Sequence, residues 1–429
     1  MSKFRLALIL ILLVVPFNLG NTQFNSPEMD YASELLASMT PSERVGQLFI
    51  VTLNGSTVTP SDQIIDLIIS YHVSGVLLKR GNDNFADQPD TFSSLQTLIG
   101  TLQESRYEAA LSSDNDEQPF ISSSKPAYIP LFIASEEPGS ANGIPEILDG
   151  MTDIPSQMAI GATWNPTLAL EAGEILGREL EALGFNMVIG PSLDVLEQPQ
   201  ITGGDIGVQS FGGDPFWVGL MGEEFVRGLH NGSQDGLAVI VKHFPGLGSS
   251  DRPIDEEIAT VRKTIEQLTH TDLAPFLAVT TSKPGESPTT VDGLLVGHIR
   301  YQGFHGNIRA TTRPISLDPQ ALTALMELEQ LHDWREGGGV TVSDSLGSNA
   351  IRRFKDPSEQ EFKGHLVARD AFLAGNDLLM LSNFRDDSDP DEYTTIIKTL
   401  EFFANKYDED ELFAQQVDDA VLRILRLKT

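Results

Sequence analysis

The stretch LAVIVKHF, residues 237–244, is an apolar run that closes with a lysine, a histidine and a phenylalanine. Uninterrupted apolar runs are typical of parallel strands that are covered on both faces. Similar runs are GQLFIVTL (46–53), VSGVLLK (73–79), IPLFIAS (129–135), FNMVIGPSLD (185–194), GLLVGHI (293–299), GVTVSDS (339–345) and NDLLMLS (376–382). Eight strands separated by helical stretches predict an α/β fold, a single TIM-like (β/α)8 barrel.

Amphipathic segments between these runs have the spacing and end signals of helices. The segment from Asn165 places apolar residues at helical spacing and stops at Gly184, and another begins with Pro215. The alternative fold is a doubly wound open sheet, but no glycine-rich phosphate loop follows the first run. The polar stretches 104–128 and 282–293 are expected to be surface loops.

Composition limits the classes of partner. The chain of 429 residues has 61 acidic and 29 basic side chains, for a net charge of −32. Such a field repels nucleic acid and anionic membrane surfaces, so neither is an expected partner. The sequence contains no cysteine, which excludes disulfides, thiolate metal sites and cysteine nucleophiles.

The first 22 residues resemble a secretory signal. Lys3 and Arg5 precede a short apolar core from Leu6 to Phe17. We expect residues 1–22 to be a signal peptide or an uncleaved N-terminal anchor, and the protein to be secreted or extracytoplasmic. No other segment is long and apolar enough to span a membrane.

Polar side chains stand where the predicted strands end. In a barrel these carboxyl ends surround the active site, so the side chains should converge. A polar residue within an apolar run is costly unless it is paired or functional. The residues concerned are Glu136, Asp194, Lys242, His243, His298 and Asp344.

The residue types favour glycoside cleavage. That reaction needs a carboxylate nucleophile and a proton donor on opposite sides of the bond, and hydroxyl-rich sugars need charged and polar side chains to orient them. No G-x-S-x-G or H-E-x-x-H motif occurs, and no Asp or His pair has metal-ligand spacing. No metal or cofactor is therefore expected.

Several motifs in order resemble glycoside hydrolase family 3, most closely its single-domain β-N-acetylhexosaminidases of the NagZ type. They are PSQMAIGATWNP (155–166), GFNMVIGPSLDV (184–195), SFGGDP (210–215), KHFPGLG (242–248), VGHIRY (296–301), VSDSLG (342–347) and VDDAVLRILRLK (417–428). The resemblance runs from about residue 31 to 429. It implies a TIM-like barrel and retaining hydrolysis through a covalent glycosyl–enzyme intermediate.

Individual residues follow from this resemblance. Asp344 matches the family nucleophile, and Lys242 with His243 matches the pair that binds sugar hydroxyls. Asp194 matches an Asp near the pocket floor, and we expect at least half of its role to be structural. Glu136 and His298 complete the candidate sugar-binding set.

The sequence departs from the family in the loop after KHF. Relatives carry an Asp and a His there as an acid/base dyad, and ungapped counting puts Pro253 and Asp255 at those positions. Leu247 replaces a family histidine, and Gln209 stands where an arginine is expected. We therefore predict a carboxylic acid as general acid/base, with Asp255 first and three alternates, Asp251, Glu256 and Glu257.

Two functions remain open from the sequence. The first is a retaining glycosidase that acts on terminal β-linked sugars, with β-N-acetylhexosaminides as one candidate class. The alternative is a non-catalytic glycan-binding protein of the same fold. Under either function, Glu256 and Glu257 are expected merely to begin a solvated helix. Gly246 and Gly248 also predict a mobile loop with little internal packing.

Overall fold

The computed structural model describes residues 30–86, 90–112, 128–136, 150–197, 206–248, 250–252, 256–358 and 361–429. Eight parallel strands form the central sheet. They are β1 (Phe49–Thr52), β2 (Gly75–Leu78), β3 (Phe132–Glu136), β4 (Met187–Ser192), β5 (Ala238–Phe244), β6 (Gly293–Val296), β7 (Val340–Ser343) and β8 (Leu379–Leu381). Each falls on one of the eight predicted runs, with β3 extending one residue beyond its run to Glu136, which confirms those predictions.

The sheet curls into a barrel. Its strand order is β8, β1, β2, β3, β4, β5, β6 and β7, so each strand lies beside its neighbour in the chain. A parallel bridge between Val342 and Leu378 brings the two ends of the sheet together. The TIM-like (β/α)8 barrel is therefore confirmed, and the open doubly wound sheet is wrong. All residues of β5 are buried, as its apolar run predicts for a strand covered on both faces.

Helices surround the barrel. One long helix begins and ends at the predicted signals: Pro166 opens it behind its N-cap Asn165, and Gly184 ends it in the left-handed region at φ 98°. The α-helices are Tyr31–Ser38, Pro41–Gly46, Gln63–Ile69, Thr91–Ser112, Gln157–Gly161, Pro166–Leu183, Pro215–Ser233, Ile265–His270, Ala274–Ala278, Gln302–His305, Pro319–Met326, Glu329–Glu336, Asn349–Lys355, Gly364–Ala374, Glu392–Glu409 and Glu411–Lys428.

The structure corrects one predicted loop and adds a small sheet that was not predicted. The helix Thr91–Ser112 contains residues 104–112, so the expected surface loop over 104–128 is wrong there, and residues 113–127 lie outside the described residues. A second, two-stranded parallel sheet pairs Ala259–Val261 with Ile299–Tyr301, beside the carboxyl ends of β5 and β6. In the part of the chain that the structure describes, no helix is long and apolar enough to cross a membrane.

Candidate active site

The carboxyl ends of β4 and β5 meet at a buried carboxylate. Asp194 follows β4 and is fully buried, and it accepts four hydrogen bonds. Oδ2 accepts from Ser192 Oγ (2.8 Å), from the His243 N–H (3.2 Å) and from His243 Nδ1 (2.8 Å). Oδ1 accepts from the Leu247 N–H. Asp194 thus holds both the end of β5 and the turn after it.

The neighbouring charges determine the protonation of His243. Burial alone lowers the pKa of its imidazole, but the carboxylate of Asp194 outweighs burial and holds the pKa above its usual value. Asp344 acts in the same direction, and Lys242 opposes both. His243 is only 7% exposed, so this interaction is poorly screened by water.

The stability contributed by protonated His243 is expected to fall as pH rises. Its folded pKa lies above the unfolded value of about 6.5, so the stabilisation is complete below about pH 6.5 and is lost as pH rises through the folded pKa. We expect denaturant unfolding to show a larger loss between about pH 6 and about pH 9 in the wild type than in His243→Gln. The pKa of His230 is also raised, but His230 is present in both proteins, so its contribution cancels when their pH slopes are compared. Equal pH slopes would contradict this role of His243.

Asp344 directly follows β7. Its N–H donates to Val296 O at 3.2 Å, and its Oδ1 accepts from the Ser345 N–H at 2.7 Å. The side chain is only partly buried. Because its charge raises the pKa of His243, the two groups are within electrostatic reach of each other. Asp344 is thus an oriented and accessible carboxylate at the mouth of the barrel.

His298 supports the segment that carries Asp344. Its Nε2 lies 2.9 Å from Ser345 O, and its Nδ1 lies 2.7 Å from Ser316 Oγ. Both ring nitrogens are therefore engaged within the protein, and the ring is 4% exposed. A sugar contact for His298 stays a prediction, while its bond to Ser345 O is a structural finding.

Glu136 and Lys79 extend the site across β3 and β2. Lys79 Nζ lies 3.6 Å from Glu136 Oε2, and both side chains are partly exposed. Burial raises the pKa of Glu136, but the positive charges of Lys79, Lys242 and His243 outweigh it and bring the net pKa below its usual value. The carboxylate is therefore ionised at neutral pH and suited to accept hydrogen bonds from hydroxyl groups.

The turn after β5 is closely packed. Leu247 is 1% exposed, and a side chain on Gly248 would place its Cβ 1.9 Å from Val195 O. At Gly246 the backbone has φ 122°, and a Cβ would lie 2.5 Å from Asp272 Cβ. At the turn itself the expected lack of packing is wrong, because both glycines permit close approach of neighbouring chain segments. The mobility of the loop stays a prediction.

The acidic loop that follows presents three described carboxylates, and each has an arginine partner. Arg252 donates to Asp251 and to Glu257, and Arg353 donates to Glu256. Burial raises the pKa of Asp251, but bonds from Arg252 and from the Thr260 N–H outweigh it and lower the net pKa. Glu256 and Glu257 precede the strand Ala259–Val261, so the expectation that they begin a helix is wrong. Asp255 lies outside the described residues.

Two residues of the site were missed in the sequence. Lys79 ends the run VSGVLLK, and Ser192 lies in GPSLD, two residues before Asp194. The rule that selected the other strand ends would have selected Lys79. Among the described residues, no group of three or more His, Asp or Glu side chains is placed to hold a metal ion.

Comparison with known proteins decides the family. A family model described as the glycosyl hydrolase family 3 N-terminal domain matches residues 40–427. The chain belongs to glycoside hydrolase family 3. This confirms the resemblance seen in the motifs, and the barrel described above is the fold of this family.

Two relatives of this chain are hexosaminidases by name. Beta-hexosaminidase A of Pseudoalteromonas piscicida is 23% identical over 424 residues, which cover 93% of this chain and 62% of the relative. Beta-hexosaminidase of Idiomarina loihiensis is 25% identical over 340 residues, which cover 78% of this chain and 84% of the relative.

A solved structure of a family 3 enzyme is also similar to this chain. The family 3 beta-N-acetylglucosaminidase from Paenibacillus sp. str. FPU-7 superposes with a TM-score of 0.72 at 28% identity, over 91% of this chain and 62% of that chain. This chain thus spans 62% of the length of both the Pseudoalteromonas relative and the Paenibacillus enzyme.

Proposed function

We propose that this family 3 protein is a retaining hydrolase of terminal β-linked sugars, with β-N-acetylhexosaminides as the first substrate class to test. The observation that carries the proposal is the position of Asp344. It is a partly exposed carboxylate, oriented by the Ser345 N–H, that directly follows β7 at the barrel mouth, two strands from β5 and His243. The names of the hexosaminidase relatives support the choice of sugar.

Asp344 would act as the nucleophile. Its carboxylate attacks the anomeric carbon, and the bond from that carbon to the leaving oxygen breaks while a carboxylic acid protonates that oxygen. The product of this step is a glycosyl ester of Asp344. The same acid, now ionised, takes a proton from water, and the water oxygen displaces Asp344 to give a sugar of retained configuration.

The positive charges around Asp344 would orient the sugar. Lys242 and His243 lie at the end of β5 and are less than a tenth exposed, and Lys79 stands by Glu136 across the barrel mouth. Ionised Glu136 can accept sugar hydroxyl protons, while Lys242 and His243 can donate to hydroxyl oxygens. Asp194 would act through His243 and Leu247, since its four bonds already occupy both oxygens.

Asp255 remains the first candidate for general acid/base. Asp251, Glu256 and Glu257 each accept a hydrogen bond from an arginine, which would have to be released before the carboxyl group could protonate a leaving oxygen. The lowered pKa of Asp251 also makes it a poor proton donor at neutral pH.

A panel of aryl β-glycosides tests the proposal as a whole. We expect turnover of at least one, with the retained anomer formed first, as followed by proton NMR. If none is cleaved but the glycosides or their parent oligosaccharides bind, the protein is the glycan-binding alternative. An inverted product would contradict the covalent route through Asp344.

Asp255→Gly is expected to lower kcat/KM for a methyl β-glycoside by about 100-fold or more, the usual contribution of a general acid. Azide should then restore turnover of an activated aryl glycoside and yield the β-glycosyl azide, because azide attacks the glycosyl ester without needing a base. Asp251→Gly is the matched control and should show no azide effect. Azide rescue of Asp251→Gly, or full activity of Asp255→Gly, would contradict the assignment.

We also propose that residues 1–22 direct the protein out of the cytoplasm, on the basis of Lys3, Arg5 and the apolar core behind them. Cell fractionation of the full chain, with N-terminal sequencing of the exported form, tests this. A protein found only in the cytoplasm would contradict it.

A further inference from the structure

The segment Leu247–Arg262 contains every carboxyl group considered above as the general acid, and its described ends are held at one place. Before it, Gly246 closes the turn after β5, and its last residues form the strand Ala259–Val261. Two residues from other parts of the chain contact both Gly246, just before the segment, and its far end: Tyr301 pairs with Val261, and Asp272 binds Lys263, just after the segment. Loops whose ends lie close together in this way are compact units of the surface.

Tyr301 provides the first connection. Its hydroxyl donates a hydrogen bond to Gly246 O at the start of the segment. Its backbone pairs with Val261 at the end of the segment, in the small parallel sheet. The side chain is completely buried, and burial together with Asp272 and Asp194 holds the pKa of Tyr301 well above its usual range. The hydroxyl therefore stays a proton donor across the working pH range.

Asp272 provides the second connection. Its Cβ lies where a side chain on Gly246 would be, so the turn rests directly against it. Its Oδ2 accepts from Lys263 Nζ at 2.5 Å, and Lys263 directly follows the segment. The carboxylate is fully buried and also accepts from Thr271 Oγ1 at 2.8 Å. Breaking a buried ion pair of this kind is strongly destabilising, because it leaves an uncompensated buried charge.

Within the segment, a further bond maintains the arrangement. Asp251 Oδ1 accepts from the Thr260 N–H at 2.9 Å, so the early part of the segment is tied to the strand that pairs with Ile299–Tyr301. Leu247 is in turn bonded to Asp194. Through Leu247, the segment is thus attached to Asp194, the residue after β4 that also binds His243 at the end of β5.

We infer that Tyr301 and Asp272 are positioning residues for the protonation step, because they hold together the described ends of the segment that carries the candidate acids. The inference rests on the proposed function for its catalytic consequence. Neither residue touches the substrate. They act by holding the two ends of Leu247–Arg262 together, and a misplacement of about 1 Å in a catalytic group can cost about 100-fold in rate.

The test compares leaving groups in Tyr301→Phe, which removes only the hydroxyl. A methyl glycoside needs protonation of its leaving oxygen, whereas a dinitrophenyl glycoside leaves without it. We expect kcat/KM to fall about tenfold or more for the methyl glycoside and less than about threefold for the dinitrophenyl glycoside. Asp272→Asn should show the same selectivity. Tyr407→Phe is the matched control, because it removes a hydroxyl that bonds Arg44 and Asp418 elsewhere in the fold.

Hydrogen exchange supplies a readout that does not need activity. In Tyr301→Phe and in Asp272→Asn the amides of Leu247 and Thr260 should exchange faster than in the wild type, with no such change in Tyr407→Phe. Equal losses on both glycosides, no loss on either, or unchanged exchange at these amides would overturn the inference. A wild type that cleaves no glycoside would contradict the proposed function instead, and the exchange result would still decide whether these residues hold the segment.

Discussion

Asp344→Asn is expected to lower kcat by about 10⁴-fold or more, which is the scale on which an enzyme depends on its nucleophile. The amide has nearly the same size, and its oxygen can still accept from the Ser345 N–H. Folding should therefore be retained while the charge that attacks the anomeric carbon is lost. Steady-state kinetics on the best aryl glycoside, with unfolding as a check, measure both effects.

The control for this substitution is Asp333→Asn, on the exposed side of the helix Glu329–Glu336. It removes the same charge at a place away from the strand ends, and it should leave kcat and stability close to those of the wild type. Substantial activity in Asp344→Asn, or an equal loss in Asp333→Asn, would contradict the role of Asp344.

Asp194→Asn is expected to lower the free energy of unfolding by about 3 to 5 kcal/mol, the usual cost of breaking a buried charged pair, and to remove most of the activity. Asparagine keeps one acceptor oxygen but presents an NH₂ group on the other side. In the wild type, both oxygens of the Asp194 carboxylate accept hydrogen bonds: one from His243 and Ser192, the other from Leu247. In Asp194→Asn the new NH₂ group therefore faces at least one buried hydrogen-bond donor, which loses its acceptor.

Denaturant unfolding and kinetics on the same preparation check this prediction. Asp214→Asn is a suitable control, because Asp214 is an exposed N-cap that asparagine replaces well. Its stability should change by only a few tenths of a kcal/mol. A fully stable and active Asp194→Asn would contradict the view that this carboxylate organises the ends of β4 and β5.

Sequence reasoning succeeded where one physical rule acts on contiguous residues. Residues 237–241 are apolar because β5 is buried on both faces. Lys242 and His243 follow them at the carboxyl end of the strand, which lies at the barrel mouth. The rule placed Asp194 and Asp344 at that mouth as well. It would also have found Lys79, had every strand end been inspected.

The failures concern partners that are distant in sequence. The three-residue strands Ala259–Val261 and Ile299–Tyr301 are too short to give a periodic signal, and each exists because of the other. Gly248 suggests flexibility when taken alone, yet it lies in van der Waals contact with Val195. The occupation of both nitrogens of His298 depends on Ser316 and Ser345, which no local pattern connects to it.

The central claim is that Asp344 forms a covalent bond with the sugar during turnover. Incubation with a slow fluorinated glycosyl substrate, followed by proteolysis and peptide mass spectrometry, tests it most directly. We expect one added glycosyl mass on the peptide that contains Asp344, and no adduct in Asp344→Asn. An adduct on a different carboxylate, or wild-type turnover of that substrate with an inverted product and no adduct, would contradict it.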